Sequence, residues 1–212
     1  MFKDRVQAGQ LLAQRLKEDL DGVKSEELVV LSIPRGGVMV GAQLAKELRC
    51  FHDILVVKKL RAPREAELAI GATGATKASL YVDQRLIADL GVNQAYLTKE
   101  IANRQAEIKR QEQLYRQNRL KVPLKNKIVV LVDDGAATGA TMIAAAREVW
   151  DDDPKKVIVA LPVCAKDTVS KLEEEADALV VLEEPEIFYA VGQFYEEFTQ
   201  VSDEEVIKLL GN

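Results

Sequence analysis

Ile128–Trp150 reads IVVLVDDGAATGATMIAAAREVW. Lys127–Val132 is the clearest strand pattern in the chain, and Thr141–Val149 reads as a helix. Between them lies the loop Asp133–Thr141. From Gly135 onward every residue of that loop is small, so backbone N–H groups can approach an anion closely. The helix that follows presents unpaired N–H groups and the positive end of its dipole. Thr138 and Thr141 add hydroxyl donors, and a phosphate monoester fits such a cradle. A tight turn that merely needs small residues would look similar. Two adjacent acids at the strand end weigh against that simpler reading. Their repulsion costs stability unless cations or sugar hydroxyls relieve it.

Other phosphate motifs fit less well. A Walker A loop needs Lys where Ala140 stands, and no G-x-G-x-x-G occurs in the loop. An aspartate-nucleophile phosphatase separates its two acids by one residue. Adjacent residues of an extended strand point to opposite sides, so Asp133 and Asp134 are not expected to share that task.

Working outward, Met1–Leu20 places Val6, Leu12, Ala13, Leu16 and Leu20 along one face of an amphipathic helix. Leu28–Ile33 reads as a buried strand that stops at Pro34-Arg35-Gly36-Gly37, and a helix follows with Val38, Ala42, Ala45 and Leu48 on one face. Asp53–Val57 begins a second strand, which runs into Lys58-Lys59-Leu60-Arg61. Arg61–Val82 has no long period, and short strands or a mobile loop are expected there. Gln94–Asn118 is a long polar helix with Glu100–Arg104 and Glu112–Arg116 at i,i+4. Its narrow stripe of Leu97, Ile101, Ile108 and Tyr115 suits an outer position or a partner surface. Val157–Leu161 reads as a strand, Ala165–Ala176 as a helix and Ala178–Leu182 as a strand. In the tail, Phe188, Tyr189, Phe194, Tyr195 and Phe198 are expected mostly in the core.

Alternating strands and helices predict an α/β fold, a parallel β-sheet with helices on both faces. Ligands of such sheets bind beyond the carboxyl ends of the strands. Three loops are placed there: Pro34–Gly37, Lys58–Arg64 and Asp133–Thr141. TGAT occurs at Thr73–Thr76 and Thr138–Thr141, and only the second lies between a strand and a helix.

The chain has 212 residues, 48% hydrophobic and 30% charged, with a formal net charge of -5. That is enough aliphatic content for a sizeable core and argues against disorder. Net acidity disfavours nucleic acid, whose binding rests on neutralised phosphates. Cys50 and Cys164 have no metal-ligand spacing and read as reduced, partly buried thiols. No signal peptide and no membrane-length apolar run is present, so a soluble cytoplasmic protein is expected. His52, the single histidine, precedes a strand away from the three loops; a surface or packing role suits it better than catalysis.

VVLVDDGAATGAT resembles the phosphoribosyl-pyrophosphate signature of type I phosphoribosyltransferases: apolar residues, two acids, then a small-residue loop ending T-G-x-T. SIPRGGVMVGAQLAKEL resembles that family's pyrophosphate loop and its following helix. Lys58–Val82 lies where the family carries a flexible hood. The N-terminal helix and the extra long helix Gln94–Asn118 look like features of a branch of predicted phosphoribosyltransferases. The resemblance spans roughly residues 28 to 198 and implies one domain over 1–212, with a hood or insert at about 60–120.

What the resemblance implies is a transfer of phosphoribose from phosphoribosyl pyrophosphate to an acceptor, assisted by magnesium. Asp133 and Asp134 would contact the ribose hydroxyls and, through water, the metal. Gly135 and Ala136 would continue the loop, and Ala137, Thr138, Gly139, Ala140 and Thr141 would hold the 5-phosphate. Arg35, Gly36 and Gly37 would receive the pyrophosphate, with Arg35 counted among the catalytic residues. The bond from Pro34 to Arg35 would be cis, and Lys58 or Lys59 would add charge. Glu65–Ser79 would serve as a closing lid that keeps water out. Ala137 stands where enzymes acting on 6-oxopurines carry an acid, yet Phe188-Tyr189-Ala190-Val191-Gly192 loosely resembles a base-stacking tail. No particular acceptor follows, and Phe188, Tyr189 and Val191 are candidates for contacting it or for packing. Family members often form dimers, so a homodimer is an expectation. A non-catalytic sensor of phosphoribosyl pyrophosphate or a nucleotide, and a phosphohydrolase on the same cradle, are the alternatives.

Overall fold

The computed structural model describes residues 1–117 and 119–211, with Ala66 and Glu67 described through their backbone only. Asn118 and Asn212, where the sequence reading ends a helix and the domain, lie outside the described residues. In chain order the elements are α1 (Arg5–Asp19), β1 (Leu28–Ser32), α2 (Gly36–Leu48), β2 (Phe51–Ile54), β3 (Lys58–Ala62), β4 (Glu65–Thr73) and β5 (Tyr81–Val82). There follow α3 (Gln84–Asp89), α4 (Gln94–Arg116), β6 (Ile128–Val132), α5 (Ala140–Trp150), β7 (Lys156–Val163), α6 (Lys166–Glu173), β8 (Ala178–Glu183) and α7 (Asp203–Leu210).

Five strands form a parallel sheet in the order β2-β1-β6-β7-β8. Every residue of β1 and β6 is buried, as continuous aliphatic strands require when helices cover both faces. The side-chain alternation sorts them. Val30, Val130 and Ile158 pack with α1 and α2 through Leu12, Leu16 and Leu44. Val29, Leu31, Val129 and Val159 pack with α5 through Ile143, Ala144 and Val149. Helices α1 and α2 cross closely, since a Cβ on Gly9 would lie 2.7 Å from the Val40 carbonyl oxygen.

A second, antiparallel sheet, β3-β4-β5, shares the lining of one cavity with the segments that follow β1 and β6. Here the structure corrects the sequence reading. The strand expected to begin at Asp53 and run into Lys58 is two strands in two sheets. β2 ends at Ile54, and Leu55, Val56 and Val57 bridge the gap as buried residues. Leu55 and Val57 join the α5 side of the core while Val56 packs with α4 and α7. Lys58–Arg64 is accordingly a strand and its turn, with register shifts around Arg61, and not a simple loop. Most of the stretch expected to form a lid is strand β4.

Helix α4 is an outer helix that packs through its narrow stripe. Leu97 packs into the second sheet, and Ile108 and Tyr115 pack with Val56, Val201 and Val206. Glu100 and Arg104 pair at 2.7 Å as expected. Arg116 instead turns to Asp53, making a two-oxygen contact at 2.5 and 2.7 Å and donating to the Ile54 carbonyl at 2.8 Å. Two short helices escaped the sequence reading. Ser202 caps α7 and Glu205 returns the bond, a Ser-x-x-Glu capping box visible in the sequence. Asp83 caps α3 through the Leu86 N–H. Among the described residues no helix is long and apolar enough to cross a membrane.

Candidate functional site

The site forms where the ends of β1 and β6 meet the starts of α2 and α5. The Pro34–Arg35 peptide bond is cis. Two glycines then let α2 begin against the end of β6. A Cβ on Gly36 would overlap the Asp134 carboxylate, and one on Gly37 would lie 2.8 Å from the Asp133 Cα. The N-terminal turn of α2 therefore backs directly onto the two acids.

β6 ends at Val132, so strand alternation no longer governs the residues after it. Asp133 and Asp134 line the same cavity, against the expectation that they face opposite ways. Asp133 Oδ1 accepts from the Asp134 N–H at 2.8 Å. Asp134 Oδ2 accepts from Arg5 Nε at 2.7 Å, and its carbonyl oxygen accepts from the Tyr195 hydroxyl at 2.6 Å. Burial, then the neighbouring charge of Asp134, pushes the Asp133 carboxyl well above its usual range. Burial raises Asp134 as well, and Arg5 opposes that rise.

The cradle is held from behind. Gly135 is wedged against Val163 and Val191, with room for no side chain. The Ala136 N–H donates to the Val163 carbonyl at 3.0 Å, and the Ala165 N–H to the Ala136 carbonyl at 2.9 Å. Thr168 Oγ1 donates to the Ala137 carbonyl at 2.5 Å. Gly139 caps α5 at φ +75°, a left-handed conformation natural to glycine. Ala137 and Thr138 remain exposed at the mouth.

The cavity measures about 450 Å³. Pro34, Asp133 and Asp134, the loop Gly135–Gly139, Thr141 and Val191 line it, together with Lys58, Lys59 and Arg61 from β3 and Arg104 and Glu107 from α4. Lys58 stands 3.7 Å from Glu107, which also pairs with Arg104 at 2.7 Å. Burial lowers the Lys58 pKa, and Glu107 opposes that fall. Arg104 and Glu107 were not anticipated as site residues. Their i,i+3 spacing is a surface pattern until β3 is placed beside it.

The remaining predicted residues divide between places. Arg35 and Gly36 line an adjoining cavity of about 380 Å³ with Arg5 and Phe198, and Arg35 Nη1 lies 3.9 Å from Asp203. Gly37 is buried behind Asp133 and lines neither cavity. Phe188 and Ala140 line a neighbouring cavity of about 370 Å³ that shares Ala69, Ala137 and Thr138 with the main one. Tyr189 is 86% exposed and lines none of these.

Outside the site, His52 sits in β2 with Nε2 2.8 Å from Ser32 Oγ, and burial lowers its pKa to about 4. Both cysteines are free thiols, raised by burial to about 11 for Cys50 and about 12 for Cys164.

A cation has a place among these groups. Two half-buried acids with raised pKa values favour a positive partner, and a magnesium ion uses one or two carboxylates and completes its shell with water and phosphate oxygens. Among the described residues, no group of three or more His, Cys, Asp or Glu side chains is placed to hold a metal ion.

The comparisons with known proteins agree on one family. The family model of the phosphoribosyl transferase domain matches residues 3–199. Two Mycobacterium tuberculosis proteins, named as candidate phosphoribosyl transferases, are each 39% identical over 210 residues, covering 99% of this chain and 46% of theirs. The chain thus spans about half the length of those relatives. A crystal structure of a protein from Thermus thermophilus matches with a TM-score of 0.80 at 38% identity, covering 99% of this chain and 97% of that one. The chain belongs to the phosphoribosyl transferase family.

Proposed function

We propose that the protein transfers the 5-phosphoribosyl group from phosphoribosyl pyrophosphate to a nitrogen of a base or amine and releases pyrophosphate. The observation that carries this reading is the charge layout of one cavity. A small-residue cradle at a helix start, two acids and the cations Lys58, Lys59, Arg61 and Arg104 all line it. A phosphorylated sugar bearing a second anionic group matches that layout part by part.

The roles follow from electrostatics. The Ala137–Thr141 backbone and the hydroxyls of Thr138 and Thr141 hold the 5-phosphate. The bond from C1 to the pyrophosphate oxygen breaks, its electron pair leaves with pyrophosphate, and the acceptor nitrogen forms the new bond to C1 and gives up its proton to solvent. Cations gathered where that negative charge develops lower the barrier. Lys59 and Arg61 on β3 supply them, with Lys58 and Arg104. Carboxylates near the ribose orient its hydroxyls and favour the positive character of an oxocarbenium-like ring. Asp133 and Asp134 would hold magnesium largely through water, and its chemistry when bound is to neutralise pyrophosphate oxygens. The second sheet, lining part of the cavity, limits access of water to the ring.

The test is pyrophosphate release from phosphoribosyl pyrophosphate and magnesium across a panel of bases, amines and small heterocycles. Release with one acceptor, abolished in a folded Asp133→Asn/Asp134→Asn variant, is the expected result. No turnover by folded wild type removes the enzymatic reading; tight binding without isotope exchange into pyrophosphate marks a sensor. Orthophosphate in place of pyrophosphate marks a hydrolase.

A further inference from the structure

Arg5 is 7% exposed, although it stands in the first turn of the first helix. Its guanidinium is held on three sides. Nε donates to Asp134 Oδ2 at 2.7 Å, Nη1 donates to the Thr199 carbonyl at 2.8 Å, and the Phe198 ring lies 3.8 Å away. Asp134 is held on its other sides too. Its carbonyl oxygen takes the Tyr195 hydroxyl, and the missing side chain of Gly36 leaves the space its carboxylate fills. Asp133 differs. Its carboxylate accepts one backbone N–H, from Asp134, touches the Asp134 carboxyl group, and makes no ion pair among the described residues. The two acids share a cavity but not a situation.

We propose that Arg5 is a positioning residue that commits Asp134 to the frame of the loop and leaves Asp133 as the acid that meets the ligand. This rests on the reading of the cavity as a phosphoribosyl-pyrophosphate site. It replaces the symmetrical reading, in which both acids contact the ribose and the waters of the magnesium, with one in which Asp133 alone does so. The rigid guanidinium fork reaches a carboxylate and a carbonyl together and stacks on an aromatic ring, which a lysine ammonium does not do. It thereby joins α1, the tail segment Tyr195–Thr199 and the β6–α5 loop in one contact. Arg5 lies 129 residues from Asp134, so nothing in the loop's own sequence announces it.

A buried pair broken from one side loses more than one removed from both sides, because the abandoned charge has no partner. That asymmetry supplies the test. Binding of phosphoribosyl pyrophosphate with magnesium is measured by calorimetry for wild type, Asp133→Asn, Asp134→Asn, Arg5→Gln, Arg5→Lys and Arg5→Gln/Asp134→Asn. Asp133→Asn is expected to lower affinity about a hundredfold, and Asp134→Asn no more than about fivefold, on a scale where 1.4 kcal/mol is tenfold. Arg5→Gln is expected to lose about tenfold and Arg5→Lys to regain most of it. Adding Asp134→Asn to Arg5→Gln brings affinity back toward that of Asp134→Asn alone, a coupling that independent sites do not show. An Arg5 that matters only for folding would lower Tm and leave the affinities additive. Equal losses for the two acids, or strictly additive variants, overturn the proposal. If Arg5→Gln does not fold, the contrast between Asp133→Asn and Asp134→Asn decides by itself. Wild type that fails to bind removes the phosphoribosyl-pyrophosphate reading and this inference with it, whereas binding with equal acids removes only the inference.

Discussion

Replacing Gly37 by Ala puts a methyl group where the first turn of α2 meets the end of β6. The new Cβ would lie 2.8 Å from the Asp133 Cα and 2.9 Å from both Asp133 Oδ1 and the Val132 carbonyl oxygen. Two of these three atoms are backbone, so no side-chain rotation clears them. Carbon atoms rest about 3.5–4.0 Å apart, so α2 and the acid loop must separate by about 1 Å. Overpacking of this kind costs about 1–3 kcal/mol. Ala in place of a helical Gly returns about 1 kcal/mol. The net loss is about 0–2 kcal/mol, and in a chain of this size each kcal/mol lowers Tm by about 2–4 °C. Function is more exposed than stability, because a displacement of about 1 Å among positioned groups can lower a rate about a hundredfold. Gly37→Ala is therefore expected to melt within about 8 °C of wild type and to lose about two orders of magnitude in pyrophosphate release or ligand affinity. Thermal unfolding and the ligand assay on the same sample check both halves. Wild-type binding and turnover at near-wild-type Tm would show that α2 need not touch the acid loop, and a collapse in Tm would show that the contact serves the fold first.

Arg116→Met strands the Asp53 carboxylate, 7% exposed, and should cost about 3–5 kcal/mol in urea unfolding, whereas Glu112→Gln should stay within about 0.5 kcal/mol. Glu148→Ala removes the acceptor 2.7 Å from the Ala75 N–H; a loss of about 1–3 kcal/mol is expected, with faster amide exchange confined to Gly74–Ser79. Unchanged exchange there would mean that Glu148 does not anchor the β4–β5 connection. His52 is held neutral by burial, its pKa lowered from 6.5 to about 4. The unfolded chain takes up the proton first as pH falls, so stability is full above 6.5 and drains between 6.5 and about 4. At about 1.4 kcal/mol per pH unit, wild type should lose about 3 kcal/mol more than His52→Gln between neutral pH and pH 4. Parallel stability curves for the two proteins would refute it.

The parallel sheet was legible because β1 and β6 are uninterrupted aliphatic runs, and burial on both faces leaves such runs few alternatives. The β6–α5 loop was legible because its small residues sit between a strand and a helix, which is where a cradle forms. The break after Ile54 was not. Leu55-Val56-Val57 continues the apolar run without a Gly, Pro or Asn to mark the change of sheet, and each residue is buried because it spans two layers. Arg116 was misread because i,i+4 spacing ranks local partners, while its carboxylate lies 63 residues away in β2. The start of α7 carried its signal openly in Ser202 and Glu205 and was missed under the weight of the aromatic tail before it.

A polyanion needs more than the cradle. Asp133 and Asp134 repel a phosphorylated ligand, and the loop between them and Thr141 carries no cation. All the positive charge at the site is imported: Arg5 from α1, Lys58, Lys59 and Arg61 from β3, and Arg104 from α4. The imports serve different ends. Arg5 is consumed by Asp134, and Lys58 and Arg104 are held by Glu107 and Glu100. Lys59 and Arg61 make no side-chain ion pair among the described residues, so they meet an incoming phosphate without first giving up a partner. Of the four cations that line the cavity, Lys59 and Arg61 are thus the two without an ion pair among the described residues. Lys58 and Lys59 were named from the sequence together with the acids; what it did not show is that they stand with Arg61 on a strand of a second sheet.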